Sequence, residues 1–369
     1  MSAVTGHGQP RRTRSDGTYL IEASVARGLG FVLVANDAVF VGQAGGPAEL
    51  CVAQGVGPGT TQASAALARE PDTLRAMLAD RQVPVPETRT LRFSDGADAA
   101  VAAAGQLGYP VAVRPVWGIR RPDAPALAFP ADDEESLRAA LAALAAAFDT
   151  GDAEFERVRG RYLVEHVPAR CETRALVVAG RCVAGVSRPA TGAMARDGAC
   201  RAIAPHRWLR QVVEHAADAV DGLDVATVTV AVDDPEQSVR RQPHAVTAIE
   251  PHPRLGLFDQ ADPGTGATLA HAILERYARQ AGISVGSGRA EQDVELTIAG
   301  LDSGRDGELL AGAMPAHRVV ATERRWDASG TQCTVAVRAT PAALADLAAE
   351  LMHGSVGELR PRFVAGMPR

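Results

Sequence analysis

Residues 108–115 read GYPVAVRP, in which a glycine–tyrosine–proline turn leads into a short apolar run that ends in arginine and proline. A short apolar run that follows turn residues predicts a buried β-strand, here over Val111–Pro115. Arg114 lies near the end of that strand, and its context before Pro115 leaves two interpretations open. It is either a solvent-facing strand residue in an ion pair or a cation that contacts an anionic group.

Strands and helices alternate on both sides of this strand, which predicts an α+β protein. The segment 88–160 forms one compact α+β subdomain in this interpretation, and the segment 161–282 forms a second and larger one. The elements that we predict for the two subdomains are strands at 88–93, 111–115, 162–165, 173–178, 181–187, 226–232 and 245–250, and helices at 97–107, 133–148, 208–219 and 265–281.

The two ends of the chain predict further units. Residues 1–16 are polar and rich in Arg, Gly and Pro, so we expect a disordered arm. Residues 17–87 then form an N-terminal unit, with a helix at 19–27 and a β-hairpin around the Asn36–Asp37 turn. After residue 288 the composition shifts, and 289–369 predicts a small βαββα domain.

The composition excludes several classes of partner. The 369 residues carry a net charge of −6 and only 4% are aromatic, so the basic surface and stacking side chains of nucleic-acid binding are missing. No apolar stretch approaches the roughly 20 residues of a membrane helix, and the N-terminus has no apolar signal segment. We expect a cytoplasmic protein without nucleic-acid or membrane partners, and a homo-oligomeric state stays open.

The sequence contains no lysine, so all 38 basic residues are arginine. This excludes a lysine Schiff base and a Walker-type phosphate lysine. The five cysteines form no C-x-x-C pair, the nine histidines form no H-E-x-x-H motif, and no G-x-S-x-G elbow is present. Zinc-dependent and serine-dependent hydrolysis are therefore not supported.

Several motifs occur in an order that resembles a known family. The motifs are Phe40-Val-Gly42-Gln, Val83-Pro-Val-Pro-Glu87, Pro110-Val-Ala-Val-Arg114-Pro115, Tyr162-Leu-Val-Glu165-His166, Arg188-Pro-Ala190 and Ile249-Glu250-Pro-His252-Pro253. Over about residues 20–280 the chain resembles the ATP-grasp region of cyanophycin synthetase and related glutathione-synthetase-like carboxylate–amine ligases. The resemblance implies an ATP-grasp fold, with two α+β subdomains that enclose a nucleotide cleft, followed here by the small C-terminal domain.

The resemblance also implies a function and cofactors. Enzymes of this family use ATP to phosphorylate a carboxylate, and an amine of a small-molecule or peptide substrate then attacks the acyl phosphate. Catalysis requires cations and Mg²⁺ around the transferred phosphoryl group, together with a lid that excludes water. ATP and Mg²⁺ are therefore the expected cofactors.

The site residues follow by matching the family motifs position by position. Arg114 takes the place of the phosphate-contacting lysine and, with Arg188, is the expected catalytic cation. The expected nucleotide contacts are Arg114, Arg120, Arg121, Glu165, Val167 and Arg174, and the expected metal ligands are Glu250 and His252.

The sequence departs from the family at positions that matter for catalysis. Pro71 stands where the family has a lysine, and two prolines interrupt the lid loop around Arg120 and Arg121. Thr229 stands where a metal-binding aspartate is expected, and His252 where an asparagine is expected. Mg²⁺ prefers hard oxygen ligands, so this set is a weak metal site.

Two functions stay open: an ATP-dependent ligase, to which we lean, and a catalytically degenerate homologue that acts by binding or scaffolding. The carboxylate and the amine are not identified by the sequence.

Overall fold

The computed structural model describes residues 14–43, 48–116, 129–147, 160–166, 171–189, 200–354, 356 and 359–369. Within these residues the chain divides into two compact units. Unit 1 comprises Met1–Gln54, Arg254–Asp259 and Gly264–Arg369, and unit 2 comprises Gly55–Pro253 and Gln260–Pro263. No helix in the described ranges is long and apolar enough to cross a membrane.

Helices and strands are interspersed along the whole of the described chain. The helices are α1 (Asp16–Ala26), α2 (Gln62–Leu67), α3 (Pro71–Asp80), α4 (Gly96–Leu107), α5 (Glu134–Ala147), α6 (Arg207–Asp218), α7 (Leu255–Ala261), α8 (Thr265–Ala281), α9 (Ser303–Ala316) and α10 (Pro341–Met352). The strands are β1 (Gly30–Val34), β2 (Ala38–Gly42), β3 (Ala48–Ala53), β4 (Thr88–Arg92), β5 (Val111–Pro115), β6 (Phe129–Ala131), β7 (Arg161–His166), β8 (Cys171–Val178), β9 (Arg181–Pro189), β10 (Arg201–Ile203), β11 (Val225–Val232), β12 (His244–Glu250), β13 (Gln292–Ala299), β14 (Val320–Trp326), β15 (Gln332–Ala339) and β16 (Phe363–Pro368).

Unit 1 is built on one antiparallel sheet that joins both ends of the chain, in the order β14-β15-β13-β16-β1-β2-β3. The pairing of β1 with β16 places Gly366 opposite Phe31. A side chain at Gly366 would collide with the ring of Phe31, which is buried, so the glycine lets the ring lie over the neighbouring strand. The C-terminal βαββα elements therefore share a sheet with the N-terminal hairpin, whereas the sequence predicted separate units over 17–87 and 289–369.

Unit 2 contains two antiparallel sheets. The smaller sheet has the order β4-β7-β5-β6, and the larger has the order β10-β9-β8-β11-β12. Strand β7 pairs with β4 and β5, so it lies in the small sheet rather than at the start of the 161–282 body that we predicted. Helix α8, which the sequence placed in that body, falls in unit 1. Both differences concern which elements meet, and neither changes the predicted α+β class, which the structure confirms.

The larger sheet has one apolar face and one polar face, as the alternation of side chains along a strand requires. On the apolar face, Val177, Val228 and Val230 pack in a core with Leu209 and Val213 of α6. The same core includes Leu74 and Leu78 of α3. Side chains at the intervening positions of β8, β9, β11 and β12 lie on the opposite face, which is where the candidate site is found.

Candidate functional site

Three charged side chains form a cluster on the polar face of the larger sheet, which we call the open-face cluster: Glu172, Arg174 and Arg188. Glu172 and Arg174 are two residues apart on β8, so they share a face, and Arg188 of β9 lies directly opposite Glu172. One oxygen of Glu172 accepts from Arg174 Nε at 2.8 Å and from Arg188 Nη2 at 2.9 Å. The register of two adjacent strands thus holds two guanidinium groups around one carboxylate.

The members of the open-face cluster differ in exposure. The Arg188 side chain is 39% exposed, whereas that of Arg174 is 12% exposed. Burial would raise the pKa of Glu172, but Arg174 and Arg188 outweigh burial and hold that pKa below its ordinary value. Glu172 is therefore ionised at neutral pH, and Arg188 is the member that presents a cation to solvent.

Glu250 and Thr229 complete this face. Thr229 of β11 pairs with Arg174 on one side and with Ala248 on the other. Glu250 lies two residues after Ala248 on β12, opposite Thr227. Burial would lower the pKa of Arg174, but the neighbouring carboxylates, Glu172 and then Glu250, raise it. Glu250 is therefore close enough to Arg174 to interact with it electrostatically.

A second group, which we call the buried cluster, joins the small sheet to α3 and consists of Arg75, Glu165 and Arg114. Arg75 Nη2 donates to Glu165 Oε2 and also to the carbonyl oxygen of Thr247, the latter at 3.3 Å. Arg114 Nη2 binds the other carboxylate oxygen, Oε1, at 2.9 Å. The Glu165 side chain is only 2% exposed, so this is a buried carboxylate between two guanidinium groups.

The buried cluster borders a small pocket, which we call the Arg75 pocket. Its walls are Leu74, Arg75 and Leu78 from α3, Arg114 from β5, and Val246–Ala248 from β12. One strand of the small sheet and one strand of the larger sheet therefore line a single pocket within unit 2. Burial lowers the pKa of Arg75, and repulsion from Arg114 adds to that effect against the attraction of Glu165.

The structure places the predicted site residues in two groups. Arg174, Arg188 and Glu250 share the polar face of the larger sheet, whereas Arg114 and Glu165 contact each other in the buried cluster. The backbone carbonyl of His252 accepts a hydrogen bond from Thr227 at 3.0 Å. Three of the predicted nucleotide contacts, Arg120, Arg121 and Val167, lie outside the described residues.

Mg²⁺, which the family resemblance implies, does not fit the residues described. Within the described ranges, no three His, Cys, Asp or Glu side chains converge to hold a metal ion. On the polar face of the larger sheet, Glu172 already binds two arginines, and Glu250 lies in the field of Arg174. Thr229 contributes a hydroxyl where a carboxylate would be needed. The local donor set is therefore one carboxylate beside a cation, which is unfavourable for a divalent metal.

Two members of these clusters, Arg75 and Glu172, were not identified from the sequence. The signal for Arg75 was present, because Pro71, Leu74, Arg75 and Leu78 have the i, i+3, i+4, i+7 spacing of a buried helix face. A charged residue in that pattern indicates a buried ion pair. The signal for Glu172 is its two-residue spacing from Arg174, one position before the predicted strand at 173–178.

No protein-family model matches the sequence, and no curated protein matches it. Solved structures do match. One is the ATP-grasp ligase PsnB complexed with a minimal precursor, Mg and ADP, at 14% identity over 60% of this chain and 62% of that chain, with a TM-score of 0.42. A D-alanine–D-alanine ligase from Bacillus anthracis matches at 12% identity over 60% and 69% of the two chains, with a TM-score of 0.43. A bifunctional glutathione synthetase from Pasteurella multocida matches at 12% identity over 66% and 41%, with a TM-score of 0.44.

This chain spans about three fifths of the length of the PsnB chains that it matches. At these identities and TM-scores the matches assign no activity and no site residue to the chain. Of the structures that it matches, PsnB is an ATP-grasp ligase.

Proposed function

We propose that this chain is an ATP-dependent carboxylate–amine ligase that acts on an amino-acid or peptide substrate through an acyl phosphate. The observation that carries the proposal is the open-face cluster. Two arginines on adjacent strands are held by one carboxylate, and the more exposed of them, Arg188, presents its cation to solvent. A guanidinium group binds phosphate and carboxylate oxygens through paired hydrogen bonds, so this surface suits both substrates of such a reaction.

The proposed reaction has two steps. A carboxylate oxygen of the substrate attacks the γ-phosphorus of ATP and ADP leaves, and the amine then attacks the acyl carbon and phosphate leaves. Negative charge spreads over the transferred phosphoryl group, so cations held in fixed positions stabilise the transition state. In this chain, which has no lysine, arginine has to supply those cations. We assign this role to Arg188, with Arg174 and Glu172 as the residues that position it.

A second feature supports a nucleotide cleft in unit 2. Arg114 of β5 and Val246–Ala248 of β12 line the same pocket, although they belong to different sheets. An ATP-grasp cleft requires such an approach of two sheets. Arg114 itself is bound to buried Glu165, so we treat it as a residue that stabilises the cleft, and its predicted phosphate contact stays a prediction.

A binding protein without phosphoryl transfer is the second candidate, and two observations favour it. Thr229 replaces an expected carboxylate on the polar face, and the donor set of the described residues does not fit Mg²⁺. Such a protein would still bind a nucleotide or a peptide at the open-face cluster. The cytoplasmic location and the homo-oligomeric state also stay predictions.

The two candidates separate when binding and turnover are measured on the same sample. ATP binding is measured by isothermal titration calorimetry with Mg²⁺ present, and phosphate release is measured over a screen of amino acids and dipeptides. Phosphate release that requires both a carboxylate and an amine supports the ligase. Binding without release throughout the screen supports the second candidate, and a lack of both heat and thermal stabilisation at millimolar ATP would contradict the ligase.

An arginine pair provides the matched variants. Arg188→Ala removes the exposed cation of the open-face cluster, and we expect ATP or substrate binding to weaken about tenfold or more, because a hydrogen bond to a charged group contributes about 1.5–3 kcal/mol. Arg201→Ala is the control, because Arg201 is exposed on neighbouring strand β10 and pairs with Glu236 at 2.8 Å. The control variant should bind as the parent does.

A further inference from the structure

The buried cluster carries an uncompensated positive charge. Arg75 and Arg114 share the single carboxylate of Glu165, so two cations face one anion. A further carboxylate that acts on Arg75 is that of Asp72, which is itself paired with Arg161 at 3.0 Å. Among the described residues the cluster thus retains a net charge of about +1 in an environment where an unpaired charge is unfavourable.

The same side chains leave hydrogen-bond donors unused. A guanidinium group has five N–H donors, and Arg75 uses its Nη2 atom for Glu165 and the carbonyl of Thr247. Its Nε and Nη1 atoms are buried and have no partner among the described residues, and the same holds for Nε of Arg114. The Arg75 side chain is only 7% exposed, so bulk water does not satisfy these donors.

The Arg75 pocket limits what can satisfy them. Its walls beside the two arginines are apolar, with Leu74, Leu78 and Val246 among them, so they supply no negative charge. The cavity volume is about 30 Å³. By the same measure of volume, one water molecule requires about 10–15 Å³. A ligand of this site therefore has to be small, negatively charged and able to accept several hydrogen bonds.

We propose that the Arg75 pocket binds one small monoanion, of the size of chloride or formate, between Arg75 and Arg114. The anion accepts hydrogen bonds from Nε of Arg75 and from Nε of Arg114. It brings the charge of the buried cluster to zero, and it holds α3 and β5 together through the two arginine side chains. The site goes beyond the proposed function, because it requires neither nucleotide nor substrate.

The test is thermal unfolding of the full chain at constant ionic strength, with gluconate exchanged stepwise for bromide and no nucleotide present. Gluconate is too large for the pocket, so the exchange changes the available anion without changing the screening of surface charges. We expect the Tm to rise by roughly 2–4 °C and then to saturate, as binding to the folded state alone requires. Crystals soaked in bromide should show anomalous scattering within contact distance of Arg75 Nε.

Two variants separate this site from general salt effects. Arg75→Leu leaves Arg114 and Glu165 as a neutral pair, so it should fold and lose the saturable response to bromide. Arg138→Ala removes an exposed arginine of α5 that pairs with Asp98 and Glu134, and it should keep the response. A response that persists in Arg75→Leu, or the lack of a saturable response in the parent, would overturn the proposal. If Arg75→Leu does not fold, the position of the bromide peak in the parent crystals decides.

Discussion

The open-face cluster and the buried cluster have the same composition, two arginines around one glutamate, and they differ in their access to water. In the open-face cluster the Arg188 side chain is 39% exposed, whereas in the buried cluster the most exposed arginine, Arg114, is at 14%. An exposed guanidinium group can exchange water for a ligand, whereas a buried one has already lost its water and depends on its fixed partners. The same residue types therefore support the binding of nucleotide or substrate at one place and, together with the small anion proposed above, the architecture of the fold at the other.

The largest expected difference between the two clusters is in stability. Glu165→Gln removes the carboxylate of the buried cluster and leaves the two buried arginines without their fixed partner, so we expect a loss of about 3–5 kcal/mol in the free energy of unfolding. Glu172→Gln is the matched change in the open-face cluster. Water can solvate Arg188 there, so we expect a loss of about 1 kcal/mol. Urea titration of both variants at pH 7 measures the two values, and equal losses would contradict the distinction between the clusters.

Asp16 extends the comparison to a carboxylate of unit 1. Asp16 accepts hydrogen bonds from the backbone N–H groups of Arg254 and Leu255, and burial raises its pKa from 3.8 to about 6. The folded state therefore retains a proton that the unfolded chain releases between about pH 4 and pH 6. The stabilisation is complete below pH 4 and is lost as the pH rises through 6, which is the reverse of the effect expected for Glu172.

Asp16→Asn removes this titration, and its one side-chain oxygen can still accept from the backbone N–H of Leu255, while the amide nitrogen replaces the oxygen that accepts from Arg254. Between pH 4 and pH 7, the stability of the parent relative to this variant should fall by about 2–3 kcal/mol. Urea titrations of both proteins at several pH values measure the difference. Parallel pH profiles for the two proteins would show that Asp16 titrates normally.

The smallest effect is expected where an arginine–carboxylate cluster is fully exposed. Arg138 of α5 pairs with Asp98 at 2.7 Å and with Glu134 at 2.9 Å, and its side chain is 43% exposed. Exposed ion pairs contribute little because water screens the charges and the side chains lose freedom. Arg138→Ala should change the Tm by less than about 2 °C in a thermal melt. A larger shift would show that burial is not what distinguishes the clusters.

The sequence predicted several elements because each shows a clear hydrophobic periodicity or ends at a clear turn signal. Strand β5 and helix α8 agree with their predicted bounds residue for residue. The predicted strands at 173–178 and 181–187 leave Ala179 and Gly180 between them, and both of these residues have positive φ angles, of 50° and 75°. Local signals of this kind depend only on neighbouring residues, which the sequence displays directly.

The sequence did not reveal which distant segments meet. The pairing of β1 with β16 brings Phe31 to Gly366, and nothing local to either segment specifies that partner. The same holds for the buried cluster, in which Arg75 of a helix meets Glu165 of a strand 90 residues later. Arg114 and Glu165 were each identified as site residues, but their contact with each other depends on tertiary structure.

We propose that the open-face cluster binds the anionic groups of nucleotide and substrate and that the buried cluster stabilises the fold. The affinity for ATP of the parent and of two variants, Arg188→Ala and Arg114→Ala, distinguishes these two roles. Isothermal titration calorimetry is performed on samples whose folding has been checked by circular dichroism. We expect Arg188→Ala to weaken ATP binding about tenfold or more, whereas Arg114→Ala should lower the Tm and change the affinity less than about twofold, since Arg114 already binds Glu165. An unchanged affinity in Arg188→Ala together with a loss in Arg114→Ala would contradict the proposal.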